Sequence, residues 1–292
     1  MKERVMIVTG ANSGMGLATS VALARQGIHV IMLCRHEARG RRALEEAVRR
    51  SGSNRIGLML CDLGSLRSIR ACAAALLNYP ALDGLINNAG VVSLRRQTTS
   101  DGFEQNIGVN HLGHFLLTNL LLGALRRAPQ GRIINVSSGA HKIGRIHFDD
   151  LHLTRGYNAV TAYAQSKLAN LLFTSALARR LEGTKVTANS LHPGAVATNI
   201  GVDRGTGFGK TIMAMLRPFF LTPEEGAATA IYLATSPDVA GVSGAYFYRQ
   251  RQVPASRRAQ DAQLAERLWA VSAAEVGWNM AESATPRMTA SP

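Results

Sequence analysis

Cysteine is nearly absent from this 292-residue chain: it has three, Cys34, Cys61 and Cys72. An odd number with no metal-ligand spacing argues against a disulfide framework and a zinc site, and the thiols read as free in a reducing compartment. Aromatic residues make up 5%, so an aliphatic core is expected. Acidic residues are also scarce, 19 against 33 basic ones, giving a formal charge of +14. Such an excess can serve a nucleic acid or an anionic membrane. The basic residues are scattered without a long run, however, and no RNA-binding aromatic signature or zipper accompanies them, so no nucleic-acid partner is expected. No stretch of 18 uninterrupted apolar residues occurs, which leaves no helical membrane span. The start, "MKERVMIVTG", runs from charge into a strand pattern without the apolar stretch of a signal peptide, and a cytoplasmic location is the expectation. Lysine is the least expected shortage. Only five of the 33 basic residues are Lys, at 2, 142, 167, 185 and 210. Lys167, in "AYAQSKLANL", stands where an arginine-rich chain would be expected to offer Arg.

Among what is present, 46% apolar and 18% charged residues suit a sizeable core, and the length suits one large α/β domain or two small ones. Near-continuous apolar runs ("RVMIVTG", "HVIMLCR", "RIGLMLCDL", "GLINNAG", "RIINVSS", "KVTANSLHPG") alternate with helical patterns, including a long helix across 102–127 and one from about Tyr157 to Leu181. That alternation predicts one doubly wound α/β domain over 1–280, its parallel sheet covered on both faces. The rhythm lapses at about 199–222, where glycines precede the apolar "TIMAMLRPFFL". A substrate lid is expected there, with a core helix and a membrane-touching surface helix as competing readings. Residues 281–292 read as a disordered tail.

The first strand ends in "TGANSGMG", with Gly10, Gly14 and Gly16 leading into a helix. Glycines here allow φ > 0 and close approach of backbone N–H groups to a pyrophosphate, aided by the helix N-terminus. The second strand ends at Arg35, 19 residues after Gly16. A carboxylate there would favour NAD, whereas Arg, with His36 and Arg39 nearby, suits the 2′-phosphate of NADP(H).

Tyr163 and Lys167 are four apart and share a helix face. A phenol near its ordinary pKa of about 10 exchanges protons poorly at neutral pH, and a compact ammonium beside it favours the phenolate. Ser137 and Ser138 end the preceding strand, "NNAG" (87–90) ends the fourth, and Asn110 lies in "VNHLGHF", a polar residue within an apolar run. Strand C-terminal ends are where ligands bind in such folds.

With these motifs, and with "HPGAVAT", the chain resembles the short-chain dehydrogenase/reductase family along nearly its whole length. "LCR", "VNHLGHFLLT", "AYAQSKLANLLF" and "LAERLWAVSAAEVGW" are similar to its retinol dehydrogenase and protochlorophyllide reductase branch. The resemblance implies a Rossmann-type fold with a seven-stranded parallel sheet and NADP(H) as cofactor. It implies Ser138 as the residue that binds the substrate oxygen, Tyr163 as acid/base, Lys167 as its electrostatic partner and ribose ligand, and Asn110 as anchor of a relay water. For the cofactor it implies Gly10, Asn12, Ser13, Gly14, Met15 and Gly16 around the phosphates, and Asp62 with Leu63 at the adenine. Asn87, Ala89 and Gly90 would flank the ribose, and Pro193, Gly194, Val196 and Thr198 would line the nicotinamide end, with Tyr163 and Lys167 also touching the cofactor. His111 and His114 are expected to pack within their helix, His192 to be structural, and no metal is expected. The implied activity is reversible hydride transfer between NADP(H) and a carbonyl or alcohol of an apolar small molecule. Carbon–carbon double-bond reduction and a non-catalytic cofactor sensor are the alternatives. Homo-oligomerisation and peripheral membrane contact stay open.

Overall fold

The computed structural model describes residues 4–194 and 221–279. Strand β1 (Val5–Thr9) is followed by helix α1 (Gly14–Arg25), β2 (His29–Cys34), α2 (Glu37–Ser51), β3 (Ile56–Leu60), α3 (Leu66–Leu76) and β4 (Gly84–Asn87). A short α4 (Gln105–Ile107) runs through a π turn (Gly108–Leu112) into α5 (Gly113–Arg126). Then come β5 (Gly131–Val136), α6 (Ala159–Arg180), β6 (Val186–His192), α7 (Pro223–Thr235), β7 (Tyr246–Tyr248), β8 (Arg251–Gln252) and α8 (Ala262–Glu275).

The strands form one sheet in the order β3-β2-β1-β4-β5-β6-β7-β8. The first seven pair in parallel, as expected, and β8 adds a two-residue antiparallel edge. The sequence expectation of seven strands misses β8 because it folds back from β7 through Arg249 and Gln250, both at positive φ, and both of its own residues are exposed. Every residue of β1 and β5 is buried, the signature of strands covered on both faces. One side carries α3, α5, α6 and α8, and the other α1, α2 and α7.

Local chemistry sets the helix ends. Gly52 closes α2 in the left-handed conformation at φ 69°. Asn158 caps α6 by accepting from the N–H groups of Val160 and Thr161 at 2.9 and 3.1 Å. Thr222, Pro223 and Glu225 start α7 with a capping box. The expected helix across 102–127 begins only at Gln105. Thr98 bridges Glu104, and the Glu104 carboxylate accepts from the N–H groups of Asn106 and Ile107, each at 2.9 Å, so a cap stands where the apolar pattern suggested helix.

The few aromatics concentrate in one place. Phe115 on α5, Phe173 on α6 and Trp269 on α8 meet at centroid distances of 4.9–5.8 Å, and Trp278 closes over Phe115 at 5.9 Å. The guanidinium of Arg180 lies 3.9 Å from the Trp269 ring. This cluster fastens the C-terminal helix to α5 and α6. Among the described residues no helix is long and apolar enough to cross a membrane.

The sheet order reverses at β1, which pairs with β2 on one side and β4 on the other. The crevice beyond the carboxyl ends of β1 and β4 is where such folds take ligands.

Candidate active site

A cleft follows that crevice from Arg35, His36 and Arg39 at one end to Ser138, Tyr163, Pro193 and Gly194 at the other. The glycine loop forms its floor. Gly10 and Gly14 have φ of 64° and 53°, which L side chains adopt at a cost. A Cβ on Gly10 would lie 2.8 Å from the Cα of Ala89, and one on Gly16 would run into the Gly10 carbonyl and lie 2.6 Å from Asn88 Nδ2. The loop and the β4 loop therefore touch through backbone. Helix α1 opens onto this floor with no acidic residue in its first turn, and the Ser13 side chain makes no capping bond. A helix N-terminus left uncapped, with backbone N–H groups brought close by glycine, fits a pyrophosphate.

At the end of β2, Arg35 is exposed and its Nε donates to His36 Nε2 at 3.2 Å. Asp62 is the one carboxylate among the described lining residues, and its Oδ1 already accepts from the Gly64 N–H at 2.9 Å. Met15 and Leu63 are buried apolar walls. Asn12, Ala89 and Gly90 also line the cleft.

Asn87 does not. Its amide donates to Thr118 Oγ1 and Asn135 Oδ1, each at 2.8 Å, on the buried cross-strand pair with Asn135. Side chains alternate along an extended chain, so Asn88 turns to the cleft instead and donates through Nδ2 to the Thr9 carbonyl at 2.8 Å. Asn87, expected to flank the ribose, thus turns its side chain away from the cleft. Thr9, Val91 and Val136 also line the cleft and were not named. Val196, Thr198, the tail and all of the expected lid but Leu221 and Thr222 lie outside the described residues. Leu221 packs its Cδ1 where a side chain on Gly194 (φ 90°) would stand.

At the other end, strand alternation again separates neighbours. Ser137 is buried and its Oγ donates to the Lys167 carbonyl at 2.7 Å. Ser138 faces the cleft, as Tyr163 does, and caps the turn at Gly139–Ile143 by accepting from Ala140 N–H at 3.2 Å. Burial raises the Tyr163 pKa above its ordinary value, and the Ser138 side chain opposes this. The spacing argument expected Lys167 to dominate and lower it; in the folded chain desolvation wins. Lys167 is itself buried, which brings its pKa down to about 8, and its Nζ donates to the Val136 carbonyl at 3.3 Å. A Cβ on Gly90 would come within 3.5 Å of that Nζ, so glycine leaves the ammonium open toward the cleft.

Asn110 sits in the π turn, fully buried. It does not line the cleft directly. Its Oδ1 accepts from Val91 N–H at 2.8 Å, and its Nδ2 donates to the Val91 carbonyl and to Ser166 Oγ, each at 3.0 Å. The Asn110 side chain thus clamps the β4 loop to α6. His111 bonds Ser272 Oγ at 2.7 Å, joining the π turn to α8. His192 stacks on Tyr248 at 5.1 Å and accepts from Gly194 N–H at 3.3 Å.

Comparison with known proteins agrees with this geometry. A family model described as short chain dehydrogenase matches residues 4–207. Retinol dehydrogenase 14 of Homo sapiens is 47% identical over 95% of this chain and 87% of its own length. A solved structure of an uncharacterized protein from Mycobacterium Paratuberculosis superposes with a TM-score of 0.77 at 36% identity, covering 95% of this chain and 94% of that one. Actinorhodin Polyketide Ketoreductase with NADPH gives a TM-score of 0.65 at 28% identity, over 84% and 95% of the two chains.

Proposed function

The chain belongs to the short chain dehydrogenase family, in its retinol dehydrogenase-like branch, and from that premise we propose that it uses NADP(H) to interconvert a carbonyl and an alcohol on an apolar substrate. The observation that carries this reading is that Ser138, Tyr163 and Lys167 line one cleft, with the buried Lys167 ammonium 5.5 Å from the centroid of the Tyr163 ring.

When bound, the nicotinamide cofactor supplies or accepts the hydride. The chain's residues handle the oxygen and its proton. Ser138 Oγ already accepts from a backbone N–H, which leaves its own proton to donate to the substrate oxygen. Tyr163, held protonated by burial, passes its phenolic proton to that oxygen in reduction and takes it back in oxidation. The phenolate left on Tyr163 is stabilised by the Lys167 charge, an electrostatic term strengthened by the shielded setting. At the far end, Arg35, His36 and Arg39 outnumber Asp62, the one carboxylate among the described lining residues, and support NADP(H) over NAD(H). The relatives' names favour an apolar alcohol such as retinol, and the solved ketoreductase carries NADPH.

The test is consumption of NADPH and of NADH over a panel of bulky apolar aldehydes and ketones, small polar carbonyls and activated alkenes. NADPH-dependent reduction of the bulky carbonyls is expected. Preference for NADH, or for the alkenes, would overturn the assignment.

A further inference from the structure

His114, one helical turn beyond Asn110, is buried to 2% exposure, and nothing in the proposed chemistry uses it. Both ring nitrogens are nevertheless engaged. Nδ1 lies 3.0 Å from the Asn110 carbonyl, and Nε2 lies 2.9 Å from Thr9 Oγ1. A carbonyl can only accept, so the proton belongs on Nδ1. Nε2 then offers only a lone pair, and the Thr9 hydroxyl donates to it. This leaves Thr9 Oγ1 free to accept twice, and two backbone donors, the N–H groups of Asn88 and Ala89, each stand 2.9 Å away.

That arrangement exists in one tautomer only. With the proton on Nε2, or on both nitrogens, Thr9 would have to accept from the ring. Its hydroxyl hydrogen would then turn to the more distant Ile86 carbonyl at 3.4 Å. The Asn88 N–H would keep the Ile86 carbonyl, 3.0 Å away, but the Ala89 N–H, held by Thr9 Oγ1, would lose its acceptor. Loss of that acceptor would loosen the half-buried β4 loop. Burial, the largest influence on the ring, keeps it neutral, with a pKa of about 4. Thr9, Asn88 and Ala89 all line the cleft, and Asn110 in turn holds Val91 and Ser166, whose Oγ donates to the Tyr163 carbonyl at 2.8 Å.

We propose that His114, as the neutral Nδ1–H tautomer, is a positioning residue that locks the β4 loop onto the glycine loop and so shapes the cofactor cleft. The proposal rests on the reading of that cleft as an NADP(H) site. It concerns placement, since His114 does not line the cleft.

Two measurements on the full chain test it. The first is ¹⁵N NMR of the histidine side chains at pH 7 without cofactor, with His114→Phe used to assign the signal. A protonated Nδ1 and a bare Nε2 are expected; an Nε2–H tautomer or an imidazolium would overturn the proposal whether or not NADPH binds. The second is NADPH affinity by titration, with steady-state kinetics alongside. His114→Phe keeps ring volume but loses both bonds. It should weaken NADPH binding and raise the KM for NADPH about tenfold, the scale of a buried hydrogen bond, while kcat at saturating NADPH changes much less. Thr9→Val should do the same, and the double variant should be little worse than either single one. His114→Gln, whose amide oxygen can replace the Nε2 acceptor, should recover most of the affinity. Parent-like affinity in His114→Phe, fully additive losses, or equal losses in the Phe and Gln variants would each overturn it. Failure of the parent to bind NADPH would count against the cofactor assignment and leave the tautomer result readable.

Discussion

Lys167 Nζ lies 5.5 Å from the centroid of the Tyr163 ring and gives a hydrogen bond to the Val136 carbonyl at 3.3 Å. The ammonium therefore faces the phenol from a buried pocket on the strand end. Two groups with opposed requirements share the site: Tyr163 is held protonated by burial, while Lys167 loses its charge above about pH 8. Reduction needs the phenol protonated and the lysine charged. The kcat/KM for NADPH in the reducing direction should be level near neutral pH and fall as pH rises through about 8. A pH–rate profile at constant ionic strength checks this; a rate that rises through that range would contradict the assigned roles.

Burial of Lys167 also costs stability. Its pKa falls from 10.5 to about 8 on folding, so between these values the unfolded chain binds more protons and stability rises with pH. The cost is roughly 3 kcal/mol below about pH 8 and vanishes above the unfolded value. Lys167→Met should lose activity yet gain stability relative to the parent at pH 7, with the gap narrowing toward pH 10.5. Urea unfolding of both proteins across this range measures it.

Removing the phenolic oxygen isolates the chemistry. Tyr163→Phe should lower kcat about 10²–10⁴-fold, the scale of a lost general acid, and leave NADPH binding nearly intact. Residual activity within about tenfold of the parent would exclude Tyr163 as the proton donor. Lys167→Arg should not rescue function, because a planar guanidinium does not fit the space between Val136 and Gly90 that a compact ammonium occupies.

Arg35 reads the cofactor if the NADP(H) proposal holds. Arg35→Asp removes a phosphate partner and puts a carboxylate where a free ribose hydroxyl can use it. The NADPH-to-NADH affinity ratio should fall by about tenfold or more, measured at one ionic strength because salt screens the exposed pair. An unchanged ratio would show that Arg35 is an ordinary surface residue.

Gly16 tests the floor of the cleft. Its added methyl in Gly16→Ala would meet the Gly10 carbonyl and Asn88 Nδ2, and backbone contacts yield poorly. A loss of about 1–3 kcal/mol of stability is expected, together with weakened NADPH binding. Thermal unfolding and cofactor titration should move together; unchanged values in both would mean that the loop relaxes freely.

The sequence by itself determined the layered α/β architecture, the glycine loop and the Tyr163–Lys167 spacing. Each of these is carried by short-range pattern: continuous apolar strands, glycines before a helix, and a four-residue helical repeat. It also placed Arg35 at a strand end. Tertiary structure turned Asn88 to the cleft beside a buried Asn87 tied to Asn135, and it gave a physical reason for the Ser138 that the family resemblance had already preferred, since the Ser137 hydroxyl is engaged by the Lys167 carbonyl. Both choices follow from the pleat of strands whose register is set by their partners, which no local spacing reveals. Only the folded chain shows that burial outweighs Lys167 at the Tyr163 phenol, because desolvation depends on every group packed around the ring. The sequence could offer His114 only as a packing residue. Its bonds reach Thr9, 105 positions away, and that distance closes only when β1 and α5 pack across the sheet.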